Sequence, residues 1–245
     1  MTTKELTTRT IKEIVTDNFQ TAAVFEKYSL DFCCRGGKTI DEACAEKGIS
    51  PETVVGELEQ SGNANRSQDD TYASMGLKEL IDHIVAKHHA FVRQMIPVIS
   101  AHTQKVKKVH GAHHPEVVRI ADRFEAVAAD LQQHLRKEEQ ILFPYILSLE
   151  QAKKTGQGAI LAPFGTVQNP IRMMEQEHQS AGDEMYEIRS LSKRYTPPDD
   201  ACTTFRVSYQ ELEEFEKDLH QHVHLENNML FPAAIALEQS LNTVN

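Results

Sequence analysis

The segment His134-Leu-Arg-Lys-Glu-Glu-Gln-Ile-Leu-Phe-Pro144 returns 88 positions later as His222-Val-His-Leu-Glu-Asn-Asn-Met-Leu-Phe-Pro232. The shared pattern, H-x3-E-x3-LFP, constrains the fold more than any other feature. A histidine and a carboxylate four residues apart share one face of an α-helix, one turn from each other. Two such helices brought together present a nitrogen and oxygen donor set suited to iron or another transition metal. The duplication extends upstream. His89 stands 45 residues before His134, and His178 stands 44 residues before His222. Each half of the repeat therefore reads as a helical hairpin carrying one single histidine and one H-x3-E pair.

Four segments show the apolar spacing of helices, near residues 76–103, 115–150, 168–193 and 202–240. The breaks between them carry Gly111 and Pro115, then Gly156, Gly158, Pro163 and Pro170, then Pro197 and Pro198. Nothing reads as a strand, so the expected class is all-α, with an up-down four-helix bundle as its main body. The polar stretch Ser61–Asp70 lacks apolar periodicity and reads as a linker. The expected organisation is an N-terminal helical domain over 1–62, a linker over 63–75 and the bundle over 76–245. In the first domain, Asp17 with Gln20 and Thr39 with Glu42 have capping-box spacing, and Ser50-Pro51 reads as a helix start.

The formal charge of −10, from 26 basic and 36 acidic residues, argues against nucleic acid or an anionic membrane surface as a partner. No run approaches the ~20 apolar residues of a membrane span, and Met1–Val15 has no apolar core of a leader. A cytoplasmic protein is expected. Cys33, Cys34, Cys44 and Cys202 form neither a C-x2-C pattern nor a disulfide framework.

A lone inward histidine is more often a hydrogen-bonded core residue than a ligand, but glutamate is almost never buried unpaired. Glu138 lies about 40° around a helix from His134, amid Leu131, Ile141, Leu142 and Tyr145; Glu226 sits likewise among Leu219, Met229, Leu230 and Ala233. A metal relieves both carboxylates; the alternative is that they reach solvent at a helix edge. Four imidazoles, two bridging carboxylates and a bridging oxygen leave about two positions of an octahedral pair open to exogenous ligands. Helical periodicity leaves one choice unresolved. The stripe Leu77, Ile81, Ile84, Phe91 and Met95 centres on His88 and puts His89 toward its edge. His83 reads as a surface residue or a support to the ligands. His102, His110, His113, His114, His220 and His224 lie in loops, at helix ends or off the ligand face.

Glu175-Gln-Glu-His178 contains one Glu-x-x-His unit, but a ferritin-like carboxylate site needs a second on another helix. The His-before-Glu order fits a hemerythrin-like arrangement, with one histidine fewer, since Met174 and Gly182 flank His178 at four residues' distance. The chain resembles the Repair of Iron Centres family of the ScdA/YtfE type. The resemblance rests on Tyr28-Ser-Leu-Asp-Phe-Cys-Cys-Arg-Gly-Gly-Lys38, Asp82–His89 with Pro97 downstream, His134–Pro144, Met174–His178, Pro197–Thr203 and Leu225–Pro232. It implies metal ligands at His89, His134, Glu138, His178, His222 and Glu226, choosing His89 over His88. It also implies two non-haem irons with an oxo or hydroxo bridge, and a role in restoring iron-sulfur clusters damaged by oxidative or nitrosative stress.

Partners implied are damaged or apo iron-sulfur proteins and small ligands such as nitric oxide or oxygen; a homodimer is left open. Cys33 and Cys34, beside Arg35 and Lys38, are candidate redox or iron-transfer thiols, because nearby positive charge lowers a thiol pKa. Two small buried residues at a helix end are the alternative. Cys44 is expected nearby, and Cys202 as packing or capping at the fourth bundle helix. Glu177, beside a ligand, and Asp130, one turn before His134, are candidates for proton handling or iron egress. Other activities open to such a site are reduction of nitric oxide or peroxide, and sensing of oxygen or nitric oxide.

Overall fold

The structure is a computed structural model that describes residues 6–18, 21–28, 30, 32, 36–61, 72, 74–158 and 162–242. All its regular elements are helical, and among the described residues no helix is long and apolar enough to cross a membrane. Backbone contacts divide the chain into two compact units. One comprises Met1–Leu80 with Val223–Pro232, the other Ile81–His222 with Ala233–Asn245.

The first unit holds α1 (Ile11–Asp17), α2 (Ala22–Lys27), α3 (Ile40–Lys47) and α4 (Pro51–Ser61). Thr39 caps α3 in a capping box with Glu42, and α4 opens on Pro51, as their spacing suggested. Asp17 does not start a helix. It ends α1, which Thr10 opens through a second capping box with Glu13. Ile11, Val15, Phe25, Phe32, Ile40 and Val54 form the buried centre. Within this unit the Lys12 ammonium donates to the carbonyl of Asn227 at 3.2 Å. Tyr72 and Ser74, at the end of the expected linker, are helical, and Tyr72 is buried.

The bundle is made of four long helical runs among the described residues. The first is α5 (Leu77–His83), π1 (Ile84–His89) and α6 (Ala90–His110); the second is α7 (Pro115–Lys137), π2 (Glu138–Leu142) and α8 (Phe143–Thr155). The third is α9 (Gln168–Leu191), and the fourth is α10 (Thr203–Leu225), π3 (Glu226–Leu230) and α11 (Phe231–Asn242). The first run continues past the expected end near 103 to His110, because Thr103 and Val106 extend its buried stripe while the lysines face out. Gly156, at φ 68°, closes the second run in the left-handed conformation that glycine adopts without a Cβ clash.

Helices α6 and α9 pack on α7. Phe215 of α10 meets Phe124 edge-on at 5.4 Å and lies 6.4 Å from Phe91. Phe124 and Phe215 are fully buried, and each contributes roughly 2–3 kcal/mol of burial free energy. After α9 the chain places Lys193, Arg194 and Tyr195 consecutively at φ 50°, 58° and 56°. Left-handed backbone costs non-glycine residues about 1–2 kcal/mol each. Offsetting this, Tyr195 is buried, its N–H donates to the Ser192 hydroxyl, and its own hydroxyl donates to Glu216 at 3.0 Å.

Three of the four runs contain a π turn, and each π turn carries a sequence-predicted ligand. The repeated Leu-Phe-Pro explains two of them. Pro144 and Pro232 lack the N–H that would bond to residue i−4, and their rings crowd that carbonyl. The turn before each proline widens instead to i→i+5 bonding. The Phe143 N–H bonds to the carbonyl of Glu138, and the Phe231 N–H to that of Glu226.

Candidate metal centre

The H-x3-E spacing brings the side chains of each pair together as expected. Glu138 and Glu226 are both 0% exposed, so neither reaches solvent at a helix edge. His89, His134, His178 and His222 are buried too. The imidazoles meet in pairs across the repeat. His89 Nε2 lies 3.2 Å from His222 Nε2, and His178 Nε2 lies 2.9 Å from His134 Nε2. Glu138 Oε2 stands between the pairs, 3.4 Å from His89 Nε2 and 3.3 Å from His134 Nε2. Glu226 follows His222 by one turn of the same unbroken helix. Two sets thus form, each with its ligand atoms within 4.8 Å of one another: His89, Glu138, His222, Glu226, and His134, Glu138, His178, Glu226. Both carboxylates belong to both sets.

Protonation can be read from the far side of two rings. His89 Nδ1 lies 2.6 Å from Glu139 Oε1, and His134 Nδ1 lies 2.9 Å from Glu177 Oε2. A carboxylate only accepts, so each Nδ1 carries a proton and donates it, and Nε2, where the neutral ring has its lone pair, faces the centre. The hydrogen bond from His134, opposed by partial burial and reinforced by Lys137, holds Glu177 down at about 2. Arg93 donates to Glu139 Oε1 at 2.8 Å. Converging lone pairs and carboxylate oxygens repel one another unless a cation or a proton lies among them. Carboxylate-backed histidines are also the usual support of a bound metal. The residues present fit a metal ion.

Residues 80–234 match the hemerythrin HHE cation binding domain, and residues 7–61 match ScdA_N, a domain of unknown function (DUF542). The chain belongs to the hemerythrin HHE family. A probable iron-sulfur cluster repair protein of Haemophilus influenzae is 37% identical over 86% of this chain and 90% of its own length. Proteins named iron-sulfur cluster repair protein YtfE from Enterobacter sp. and Escherichia coli O157:H7 are 34% and 36% identical, covering 92% and 89% of this chain and 96% and 92% of their own lengths. With the donor set above, the HHE bundle holds a metal-binding site.

Other candidates in this HHE chain fall differently. His88, which α-helical periodicity favours over His89, is absent from both sets, yet it is just as buried. The π turn over Ile84–His89 is the reason: one extra residue in the turn brings both histidines inside. Asp130 is exposed and lines a cavity of about 210 Å³ together with Lys137, Glu177 and Glu184. Cys33 and Cys34 lie outside the described residues. Cys44 is buried, and burial pushes its thiol up. Of the two roles expected for Cys202, packing and capping, it takes the second: it is exposed, precedes α10, and its carbonyl accepts from the Arg206 N–H at 3.1 Å, while its thiol lies 3.2 Å from His110 Nε2. His224 is a core residue, accepting from the Asn228 amide at 2.8 Å and driven down to about 4 chiefly by burial. Sequence reasoning missed Glu139 as the support of His89. Its signal was the second glutamate of Glu138-Glu139, which the π turn swings to the same side.

Proposed function

We propose that this protein restores damaged iron-sulfur clusters by supplying iron from a centre of two non-haem iron ions. The two donor sets that share Glu138 and Glu226 carry this reading, because shared carboxylates suit a pair of cations rather than one. His89 and His222 would hold one ion and His134 and His178 the other, with Glu138 and Glu226, common to both sets, shared between the two. When bound, the iron pair supplies ligand exchange and one-electron chemistry. Glu139 and Glu177 orient His89 and His134. The names of the relatives support iron-sulfur proteins as the clients, and nitric oxide or oxygen are the small ligands for the open positions.

The organisation in this reading is a thiol-bearing domain over 1–62, a linker over 63–75 and the iron-bearing bundle over 76–245, in a cytoplasmic protein. The test is iron quantification combined with cluster restoration on a damaged client, for the wild type, Glu138→Leu and a Cys33/Cys34 double serine variant. Two irons per chain, reduced in Glu138→Leu along with restoration, is the expected result. Unchanged stoichiometry in Glu138→Leu sinks the assignment. Catalytic turnover of nitric oxide with retained iron and no restoration would replace repair by reduction.

A further inference from the structure

His88 is the most conspicuous group that the metal centre does not use. It is 0% exposed, and its ring lies parallel to that of His222, with centroids 5.7 Å apart and planes 7° apart. Its Nδ1 sits 2.9 Å from Oδ1 of Asp218, which precedes His222 by one turn on α10. The acceptor carboxylate places the ring proton on Nδ1 and leaves the lone pair on Nε2. That Nε2 is buried with no hydrogen-bond partner among the described residues, and so is Oδ2 of Asp218. Leaving two buried polar atoms unpaired is unfavourable, and a purely structural pair avoids it. The half-buried His83 meets His88 edge-on at 5.8 Å. Burial, with smaller contributions from His88 and Lys87, pushes His83 down, so its ring is neutral and carries a lone pair at neutral pH.

We propose that His88 with Asp218, followed by His83, forms a transfer path along which a divalent transition-metal cation passes between the buried centre and the surface. The inference rests on the metal centre proposed above and adds to it a route. His88 Nε2 takes up the cation as His222 releases it, so one metal–nitrogen bond forms while another breaks. The Asp218 carboxylate offsets the charge during the exchange, and no electron moves. His83 repeats the exchange at the half-exposed end. Lys87, whose ammonium reaches Gln221 at 3.4 Å, stands beside this end. A route of this kind gives iron supply a defined exit that leaves Glu138 and Glu226 in place.

The test uses full-length protein loaded anaerobically with ferrous iron, with release followed by a chromogenic ferrous chelator in wild type, His88→Phe, Asp218→Asn and His83→Ala. Metal content before chelation is measured in the same samples. The expected result is wild-type content with release slowed about 10-fold in each variant, equivalent to ~1.4 kcal/mol on the barrier. Full content with wild-type release in Asp218→Asn and His83→Ala overturns the path. If His88→Phe does not hold iron, His83→Ala decides, because its position at the half-exposed end leaves the centre intact: slowed release supports the path and unchanged release overturns it. Failure of the underlying centre is distinguishable, since it shows as low content in the wild type.

Discussion

Replacing Glu139 by alanine tests the centre through a residue that touches no metal. Its carboxylate accepts from His89 Nδ1 at 2.6 Å and from Arg93 at 2.8 Å. Losing the partner of a ligating histidine lowers metal affinity about 10–100-fold, which corresponds to ~1.4–2.7 kcal/mol. A hydrogen bond to a charged group contributes about 1.5–3 kcal/mol, so two independent routes give the same range. The Glu139 side chain is 28% exposed, and water can replace part of what it supplies. The expected loss is therefore near the lower end, about 10-fold. Arg93 is 46% exposed, and an exposed ion pair contributes only ~0–1 kcal/mol, so Arg93→Ala should change affinity less than a few-fold. Competition against a chelator of known affinity measures both. Unchanged affinity in Glu139→Ala, or an equal loss in Arg93→Ala, refutes the claim that the carboxylate works by fixing the His89 tautomer.

Three further changes probe the frame around the site. Pro144→Ala supplies the missing N–H and removes the ring that forces the π turn, so metal affinity should fall although no ligand is altered; affinity equal to wild type would show that the proline does not set the turn. Glu238, 5% exposed, accepts from the Val167 N–H at 2.9 Å and from the Tyr145 hydroxyl at 2.7 Å. Glu238→Ala strands both donors and should destabilise the protein by about 2–4 kcal/mol, read by denaturant unfolding of metal-free protein. His114 is raised above its ordinary 6.5, first by its hydrogen bond to Asp200 and also by that to Glu116. A raised folded value means that its contribution is complete below about pH 6.5 and is lost as pH rises through the folded value. Stability of wild type relative to His114→Ala should decline across that window, and a flat difference contradicts the pairing.

The sequence carried the pairing of His134 with Glu138 and of His222 with Glu226 openly, because an i, i+4 relation survives in any helical context. It carried the four-helix body for a similar reason: long apolar stripes interrupted by glycine and proline leave few other folds. The choice between His88 and His89 was not legible from periodicity, since a 3.6-residue repeat was extended through a turn that is not α-helical. Glu177 stood out by its place beside His178, but its contact with His134, like that of Glu139 with His89 and the Tyr145–Glu238–Val167 contact, joins residues far apart in the chain and leaves no periodic trace. The second capping box, Thr10 with Glu13, has the same Thr-x-x-Glu spacing as Thr39 with Glu42.

The Leu-Phe-Pro that closes each repeat at first has the character of a helix breaker placed after the ligands. In the folded chain it explains why Glu138 and Glu226 open π turns at corresponding places in the two halves. A π turn gives up regular helical bonding and persists only where something else over-determines it. Here the proline forbids the regular alternative and the convergence of buried donors rewards the wider one. The third run, which supplies only His178 and has no such proline near it, remains α-helical throughout. The metal centre and the helix irregularities are therefore one feature: the deformation that brings Glu138, Glu226 and His89 inward is the same one that leaves His88 buried beside them.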